Sequence, residues 1–235
     1  MQNTEKNNSK RVLDPNQAHL VLDASGLITQ VGIVKQGHWL HWESQAEMAL
    51  GGLYTGVKAC LKATHTNLED LEGFIFCEGP GSVLGIRLAA MMLRSWQALP
   101  PFSKKPIFRY SSLVIAAKMV EKHPQVVYPC LLLSEARQRE WNQILLSEPG
   151  KTGPIIVIPD TALPSLKGPL WHIPQRKSWH SPPERAQRLE YNLEPHADIF
   201  NHPEIFDLTD EPNAFIAHPP EFKHWIPERH RGSHD

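Results

Sequence analysis

The chain contains 235 residues, of which 41% are hydrophobic and 21% are charged. A chain with this apolar fraction can bury a core, which excludes wholesale disorder. Its 24 Lys and Arg against 25 Asp and Glu leave a formal net charge of −1, which excludes a polycationic protein that binds nucleic acid by counterion release alone.

The first half of the chain predicts a sheet that is followed by helices. Residues 1–17 offer little to bury and predict a flexible arm. The segments HLVLDAS, LITQVGIVK and HWLHWE predict an antiparallel meander, since their connections are too short for a crossover helix. Helical spacing then predicts a helix over 45–64. A strand over 71–77 and a second helix over 83–99 follow.

The second half predicts a looser repetition of this pattern. The predicted elements are strands over 106–110, 126–133, 140–146 and 154–158 and helices over 111–122 and 183–193. The proline-rich segment after Pro212 predicts a tail that lies along a surface. We therefore expect a first lobe over 18–105, a reduced second lobe over 106–211 and a surface tail over 212–235.

The sequence also bears on cellular location. No apolar run approaches the ~18 residues that span a bilayer, and no apolar stretch follows the basic residues of the N-terminus, as it would in a secretory signal. Cys60, Cys77 and Cys130 form neither a C-x-x-C pair nor a disulfide framework. We expect a cytoplasmic protein that does not contact a membrane.

A glycine-rich turn, Glu78-Gly79-Pro80-Gly81-Ser82, leaves the fourth predicted strand and enters the second helix. Such a turn can direct backbone N–H groups and the positive end of a helix at an anion. It lacks the Lys-Ser/Thr pair of a phosphate-binding loop. The favoured interpretation is that Gly79 and Gly81 supply permissive dihedrals and close packing.

Asp23 ends the first predicted strand beside Ser25-Gly26. A carboxylate at a strand end could hold a hydrated Mg²⁺. More often such an aspartate caps the turn that follows it, and we favour this interpretation.

The 13 histidines form no H-x-x-x-H motif and no Cys/His cluster. Alternation along a strand predicts that His38 and His41 lie on opposite faces, so that they cannot share an ion. No metal centre is therefore predicted. Ser82 stands outside any G-x-S-x-G motif, which disfavours a serine hydrolase.

The two helices after the meander are apolar on more than one side. One face of the first helix carries Leu50, Leu53, Tyr54, Val57, Cys60 and Leu61. The second helix has one stripe of Gly85, Ala89, Met92 and Trp96 and a neighbouring stripe of Leu84, Leu88, Met91 and Ser95. Such helices are either fully internal or packed on a sheet with one side and on another protein with the other, and the residues alone leave both alternatives open. The Gly51-Gly52 pair costs ~2 kcal/mol of helix propensity relative to two alanines, which a close helix–helix contact would offset.

Several of these segments, in this order, resemble the TsaB (YeaZ) family, the non-catalytic partner in bacterial threonylcarbamoyl-adenosine tRNA modification. LVLDAS resembles the family's opening I-D-T-S strand, and E-G-P-G-S-V-L-G-I-R-L-A resembles its G-R-G-P-G-S-F-T-G-V-R-I-G motif. Y-S-S-L is similar to its V-S-S-L, and the tail P-N-A-F-I-A-H-P-P-E-F is similar to its closing P-x-Y-L-R-x-P. The resemblance covers about residues 19–146 and, more weakly, the tail.

The resemblance implies an α/β fold of the actin/Hsp70-like (ASKHA) type, with a ribonuclease-H-like lobe and a reduced second lobe. It implies a non-catalytic accessory subunit, without a cofactor, that supports threonylcarbamoyl transfer to an adenosine of tRNA by a TsaD-like transferase. The expected partners are that transferase and a TsaE-like ATPase. Contact with tRNA is expected only through the complex, and a homodimer is expected when the partner is absent.

Members of this family dock through the two helices after the meander. The resemblance therefore implies a partner-binding surface made of Leu50, Leu53, Tyr54, Val57, Leu84, Ala89, Met92 and Trp96. Asp23, Gly79, Gly81 and Ser82 become a vestigial nucleotide-binding set. Two alternatives remain: a phosphotransferase of the ASKHA type that uses Mg-ATP at Asp23 and the glycine turn, and a self-associating interaction module.

Overall fold

The computed structural model describes residues 11–46, 49–136, 139–174 and 181–215. Within these ranges the chain forms two six-stranded β-sheets and three α-helices. The elements of the first half are β1 (His19–Asp23), β2 (Thr29–Lys35), β3 (His38–Gln45), α1 (Ala49–Thr64), β4 (Gly73–Gly79), α2 (Val83–Gln97), β5 (Ile107–Ser111) and α3 (Ser112–Glu121). Those of the second half are β6 (Cys130–Glu135), β7 (Glu140–Glu148), β8 (Lys151–Thr152), β9 (Ile156–Pro159), β10 (Leu170–Ile173), β11 (Ala186–Arg188) and β12 (Asp207–Leu208).

The first sheet has the strand order β12-β5-β4-β1-β2-β3. Strands β1, β2 and β3 are antiparallel, whereas β4 runs parallel to β1 and β5 parallel to β4. This confirms the predicted meander and the ribonuclease-H-like lobe. Strand β5, which the sequence analysis assigned to the second lobe, is hydrogen-bonded to β4 in the first sheet, and β12 pairs with its other edge.

The second sheet has the order β11-β10-β6-β7-β8, and β9 pairs with β7. Strands β6 and β7 are antiparallel, and β10 lies parallel to both β6 and β11. Short 3-10 helices connect these elements at Leu68–Asp70, Asp160–Ser165, Glu194–Asn201 and Pro203–Ile205. None of the helices in the described ranges is long and apolar enough to cross a membrane.

Each face of the first sheet packs against its own core. Leu20 and Leu22 of β1 point to a core that α1 and α2 cover. Val21, between them, points to a second core that also contains α3 and residues of the second sheet such as Leu132 and Trp171. A strand covered on both faces is buried throughout, and β1 is buried along its whole length. The two lobes thus share the second of these cores, which contains residues of both sheets.

The helix predicted over 183–193 is wrong. Residues 186–188 form strand β11, and residues 189–193 after it form no helix. Leu189, Tyr191 and Leu193 are buried while Glu190 is exposed, so burial follows a period of two.

A β-bulge corrects the prediction for the two histidines of β3. His38 pairs with Lys35, Trp39 with Val34 and His41 with Ile33, which leaves Leu40 without a partner on β2. Lys35 and Ile33 are two positions apart, so His38 and His41 lie on the same face of the strand. His41 is within 2.8 Å of a Glu43 carboxylate oxygen, and the described residues contain no group of three metal-ligating side chains.

The first and the last of the described residues contact the first lobe. Of the predicted arm, residues 1–10 lie outside the described part of the chain, whereas Leu13 is buried in the core that the lobes share. The backbone N–H of Gln36 donates to the Pro15 carbonyl at 2.6 Å. Of the predicted tail, residues 212–215 are described and 216–235 are not.

Candidate functional site: a filled cleft and an exposed helical surface

The Asp23 carboxylate is fully buried at the end of β1 and accepts four hydrogen bonds. The backbone N–H and the hydroxyl of Ser25 donate to Oδ1 at 2.8 and 2.7 Å. The hydroxyls of Tyr110 and Tyr191 donate to Oδ2 at 2.7 and 2.8 Å. The Ser25 contact is the turn cap that the sequence favoured for Asp23.

The two tyrosines reach this carboxylate from different parts of the chain. Tyr110 lies on β5, whereas Tyr191 follows β11 of the second sheet. Burial raises the pKa of both phenols well above the ordinary value, and the negative charge of Asp23 raises it further. Both hydroxyls therefore stay protonated at neutral pH and can act as donors, which is what a buried carboxylate needs.

The glycine turn packs directly on the backbone that follows β1. The Ser82 N–H donates to the Ser25 carbonyl at 2.8 Å. A Cβ placed on Gly81 would clash with that same carbonyl oxygen, and a Cβ on Gly85 would clash with the carbonyl oxygen of Ala24. The glycines therefore permit a backbone–backbone approach, as the simpler interpretation predicted.

Ser82 serves α2 as its N-cap. Its hydroxyl accepts a hydrogen bond from the N–H of Gly85 at 3.4 Å. Asp23, Gly81 and Ser82 thus lie close together, as the sequence predicted. Contacts with Ser25 and with the backbone of α2 hold them there. Each carboxylate oxygen of Asp23 already accepts two hydrogen bonds, and the glycine turn packs against Ser25. This arrangement offers neither an open carboxylate for Mg²⁺ nor an open loop for a phosphate.

The tail closes the other side of the glycine turn. The N–H of Phe215 donates to the carbonyl oxygen of Glu78 at 2.6 Å, and a Cβ on Gly79 would lie 3.7 Å from the Phe215 Cβ. Arg94 of α2 donates to the Pro212 carbonyl at 2.9 Å and also contacts the Asn213 side chain. Gly79 is therefore covered by the chain's own tail.

The structure corrects three of the predicted partner-binding residues. Leu53, Val57 and Ala89 are buried in the core beneath α1 and α2, so their side chains cannot contact another protein. Trp96 and Met92 are half-buried against the same core, and the Trp96 ring lies 5.1 Å from that of Phe74.

The glycines of α1 explain which of its faces meets the sheet. A Cβ on Gly56 would lie 2.8 Å from Val31, and one on Gly52 would lie 3.0 Å from the Thr29 Cβ. The close contact predicted from Gly51-Gly52 is therefore wrong as a helix–helix contact, since Gly52 approaches β2. This approach buries Leu53 and Val57 and turns Leu50 and Tyr54 outward.

Large apolar side chains remain uncovered on the outer side of both helices, which contact each other. We call the set Leu50, Tyr54, Leu84 and Met91 the helical ridge. Their exposed fractions are 59%, 64%, 70% and 60%. Leu84, Met91 and the half-buried Leu88 belong to the second stripe of α2, the one next to the stripe of small residues.

Comparison with solved structures places this geometry in a known fold. YeaZ from Pseudomonas aeruginosa aligns with a TM-score of 0.61 and 17% identity over 85% of this chain and 99% of that one. The chain has the fold of YeaZ. A second structure, an uncharacterized protein from P. aeruginosa with similarity to peptidase YeaZ, aligns with a TM-score of 0.55 and 21% identity over 79% of this chain and 88% of that one. No protein-family profile matches the sequence, and no curated protein matches it.

The shared fold confirms the α/β architecture that the resemblance to YeaZ implied. Sequence reasoning nevertheless missed one residue, Tyr191, that donates a hydrogen bond to the buried Asp23 carboxylate. Tyr191 lies in the segment that was predicted as a helix, so its approach to Asp23 was not anticipated. The alternation of Leu189, Tyr191 and Leu193 was the available signal for an extended, half-buried segment.

Proposed function

We propose that the protein is a non-catalytic accessory subunit that binds a TsaD-like transferase through the helical ridge and supports threonylcarbamoyl transfer to an adenosine of tRNA. The observation that carries this proposal is the exposure of Leu50, Tyr54, Leu84 and Met91 on two adjacent helices. Exposed apolar side chains that cluster on one surface mark interaction sites. Aromatic residues and methionine are also enriched in the buried centres of protein interfaces.

The contacts of the Asp23 carboxylate and of the glycine turn support a role without catalysis. A phosphotransferase of this fold would need an accessible carboxylate for Mg²⁺ and a free glycine turn for phosphate. Here Asp23 is saturated by Ser25 and two tyrosines, and Gly81 lies against Ser25. These contacts favour the accessory subunit over the phosphotransferase alternative.

The remaining parts of the proposal follow from the resemblance in sequence and fold. The protein works in the cytoplasm, reaches tRNA only through the complex, and offers the transferase, with its TsaE-like ATPase, a preformed surface. Its contribution is to cover and hold apolar surface of the transferase, which is a positioning role.

The experiment is co-purification of the tagged full-length chain from its native source, followed by identification of the bound proteins. The proposal expects the TsaD-like transferase of that cell to be recovered with the wild-type chain. It also expects recovery to be lost with Leu84→Ser combined with Met91→Ser and retained with Val127→Ser. Val127 is a matched control, since it is 59% exposed but lies before β6, away from α1 and α2. Recovery of the transferase by the ridge variant would contradict the proposal.

A further inference from the structure

Gln30 of β2 is fully buried and uses both ends of its side-chain amide. Its Oε1 accepts a hydrogen bond from the backbone N–H of Leu193 at 2.8 Å, and its Nε2 donates to the Tyr191 carbonyl at 3.4 Å. Residues 191–193 belong to no strand and no helix. The Gln30 side chain therefore satisfies two backbone groups that a neighbouring strand would otherwise have to pair.

Gln30 lies directly beside Asp23. The register of β1 and β2 pairs Asp23 with Gln30, and paired residues of antiparallel strands project from the same face of a sheet. Asp23 accepts the hydroxyl of Tyr191, whereas Gln30 donates to the Tyr191 carbonyl. Two adjacent side chains of the first sheet thus hold one tyrosine that follows β11 of the second sheet, so both contacts join the lobes.

The third strand of the meander contributes Trp39. Its indole Nε1–H donates to the Glu194 carbonyl at 3.0 Å, and its ring lies 5.1 Å from that of Phe200. Strands β1, β2 and β3 therefore each supply one side chain that binds the same short segment. We call this arrangement, Asp23, Gln30 and Trp39 with residues 191–194, the interlobe latch.

The segment that carries the latch is fixed at both of its ends. Before it, the Leu189 N–H donates to the His172 carbonyl of β10 at 2.8 Å, which ties the segment to the second sheet. After it, β12 pairs with β5 and joins the first sheet. The chain crosses from one lobe to the other at the latch, so parting of the lobes would pull residues 191–194 away from one of the two sheets.

We propose that the interlobe latch holds the two lobes closed as a single rigid body, and that it does so without a ligand. All of its donors and acceptors belong to the chain itself, so closure needs no bound molecule. Parting of the lobes would break these hydrogen bonds together and would uncover the core that the lobes share. The lobes therefore separate only when the whole chain unfolds, whether or not a partner covers the helical ridge.

Hydrogen exchange of the Leu193 N–H in the full-length chain tests the latch, since this group exchanges only when its bond to Gln30 breaks. Connecting segments usually exchange through local opening, far faster than central strands do. We expect the Leu193 N–H instead to exchange within about tenfold of the slowest N–H groups of β1, which lies between β2 and β4, after correction for intrinsic rates. Exchange that is faster than this would overturn the proposal.

A substitution isolates the contribution of Gln30. Gln30→Met keeps the length of the side chain and removes both of its hydrogen bonds, so the Leu193 N–H should exchange about tenfold faster or more. Gln187→Met is the matched control, because Gln187 is exposed on β11, and it should exchange as the wild type does. An unchanged rate in Gln30→Met would overturn the latch, and the wild-type measurement decides the matter if this variant does not fold.

Thiol labelling asks separately whether the lobes open as one unit. Cys60 is buried beneath α1 in the first lobe, whereas Cys130 is buried on the second sheet in the shared core. N-ethylmaleimide, with the labelled sites identified by mass spectrometry, should modify both thiols of the native wild-type chain at rates within about tenfold of each other. Labelling of Cys130 that is faster than this would show that the lobes part on their own, and would overturn the single rigid body.

Discussion

The hydroxyl of Tyr191 donates a hydrogen bond to Oδ2 of Asp23 across 2.8 Å, joining residues that are 168 positions apart. Tyr110, which lies 87 positions from Asp23, donates to the same oxygen. The carboxylate that would face a bound Mg²⁺ in a phosphotransferase is therefore part of the core that the two lobes share. There it accepts hydrogen bonds from buried hydroxyl groups, which pairs both the carboxylate oxygens and the hydroxyls.

Removing the Tyr191 hydroxyl should destabilise the fold. Tyr191→Phe leaves the buried Asp23 charge with three donors, and a hydrogen bond to a charged group contributes about 1.5–3 kcal/mol. We expect a decrease of that order in the free energy of unfolding, measured by urea denaturation. Tyr54→Phe, which removes the hydroxyl of an exposed tyrosine, should change it by less than about 0.5 kcal/mol. Equal stability of the two variants would contradict the Asp23 network.

Nucleotide should not bind at the glycine turn. Because Asp23 and Gly81 are occupied by contacts within the chain, titration calorimetry with Mg-ATP should give no saturable heat. Asp23→Asn should lower the urea midpoint, since two tyrosine hydroxyls and Ser25 lose their charged acceptor. Saturable binding of Mg-ATP that disappears in Asp23→Asn would support the phosphotransferase alternative.

A methyl group at position 85 should disrupt the contact between α2 and β1. Alanine is the better helix former, yet at this position its Cβ would clash with the Ala24 carbonyl oxygen. We expect Gly85→Ala to destabilise the chain by about 1–3 kcal/mol, the range for overpacking a well-packed site. Gly153→Ala is the control, because its Cβ would lie 3.6 Å from Leu145, an ordinary contact. The two denaturation midpoints would be compared, and a stabilised Gly85→Ala variant would contradict the close approach.

Stability should decrease as the pH falls below neutrality, in part through His19. Burial lowers the pKa of its imidazole, an effect that the charges of Glu72 and Asp14 oppose only in part. In the unfolded chain the pKa of histidine is about 6.5, so between the two values the unfolded chain binds more protons than the folded one. The contribution is fully present above about pH 6.5 and is lost as the pH falls through the folded pKa, with a slope of at most about 1.4 kcal/mol per pH unit.

The measurement is the free energy of unfolding of the wild-type chain and of His19→Gln between about pH 7.5 and about pH 5. The variant should show the shallower decline, since it lacks the titrating ring. Identical slopes for the wild type and His19→Gln would contradict the assignment.

Much of the first lobe was predictable because its signals are local. The three short apolar runs and the turn at Gln36-Gly37 specify a meander, and helical spacing specifies α1 and α2. The bulge at Leu40 was not predictable, because the pairing of β3 with β2 decides it and alternation within β3 does not show it. It reversed the relative orientation of His38 and His41.

A partner-binding surface on the two helices was predicted, but three of its eight predicted residues, Leu53, Val57 and Ala89, are buried. Leu50 and Leu53 are the same residue type, three positions apart on one predicted helix face. Periodicity alone does not say which of them packs against the sheet. Small residues supplied that information: Gly52 and Gly56 face β2, and Gly85 faces Ala24. The sequence interpretation tied Gly51-Gly52 to a helix–helix contact, whereas Gly52, Gly56 and Gly85 mark the side that packs against the chain's own sheet.

The contact between Tyr191 and Asp23 was beyond reach of the sequence for a different reason. It depends on how the second sheet sits against the first, and no local pattern reports a contact across so many residues. The alternation from Leu189 to Leu193 would have corrected the secondary structure. It would not have named the partner of the Tyr191 hydroxyl.

The central claim is that the helical ridge is covered by the transferase, and titration of the purified transferase with ridge variants tests it most directly. Leu84→Ser and Met91→Ser should each keep the wild-type urea midpoint, because both side chains are exposed, and should each weaken binding by about 2 kcal/mol or more if they lie at the centre of the interface. Val127→Ser should bind like the wild type. If both ridge variants bind the transferase with unchanged affinity, the ridge is not the binding surface and the account is contradicted.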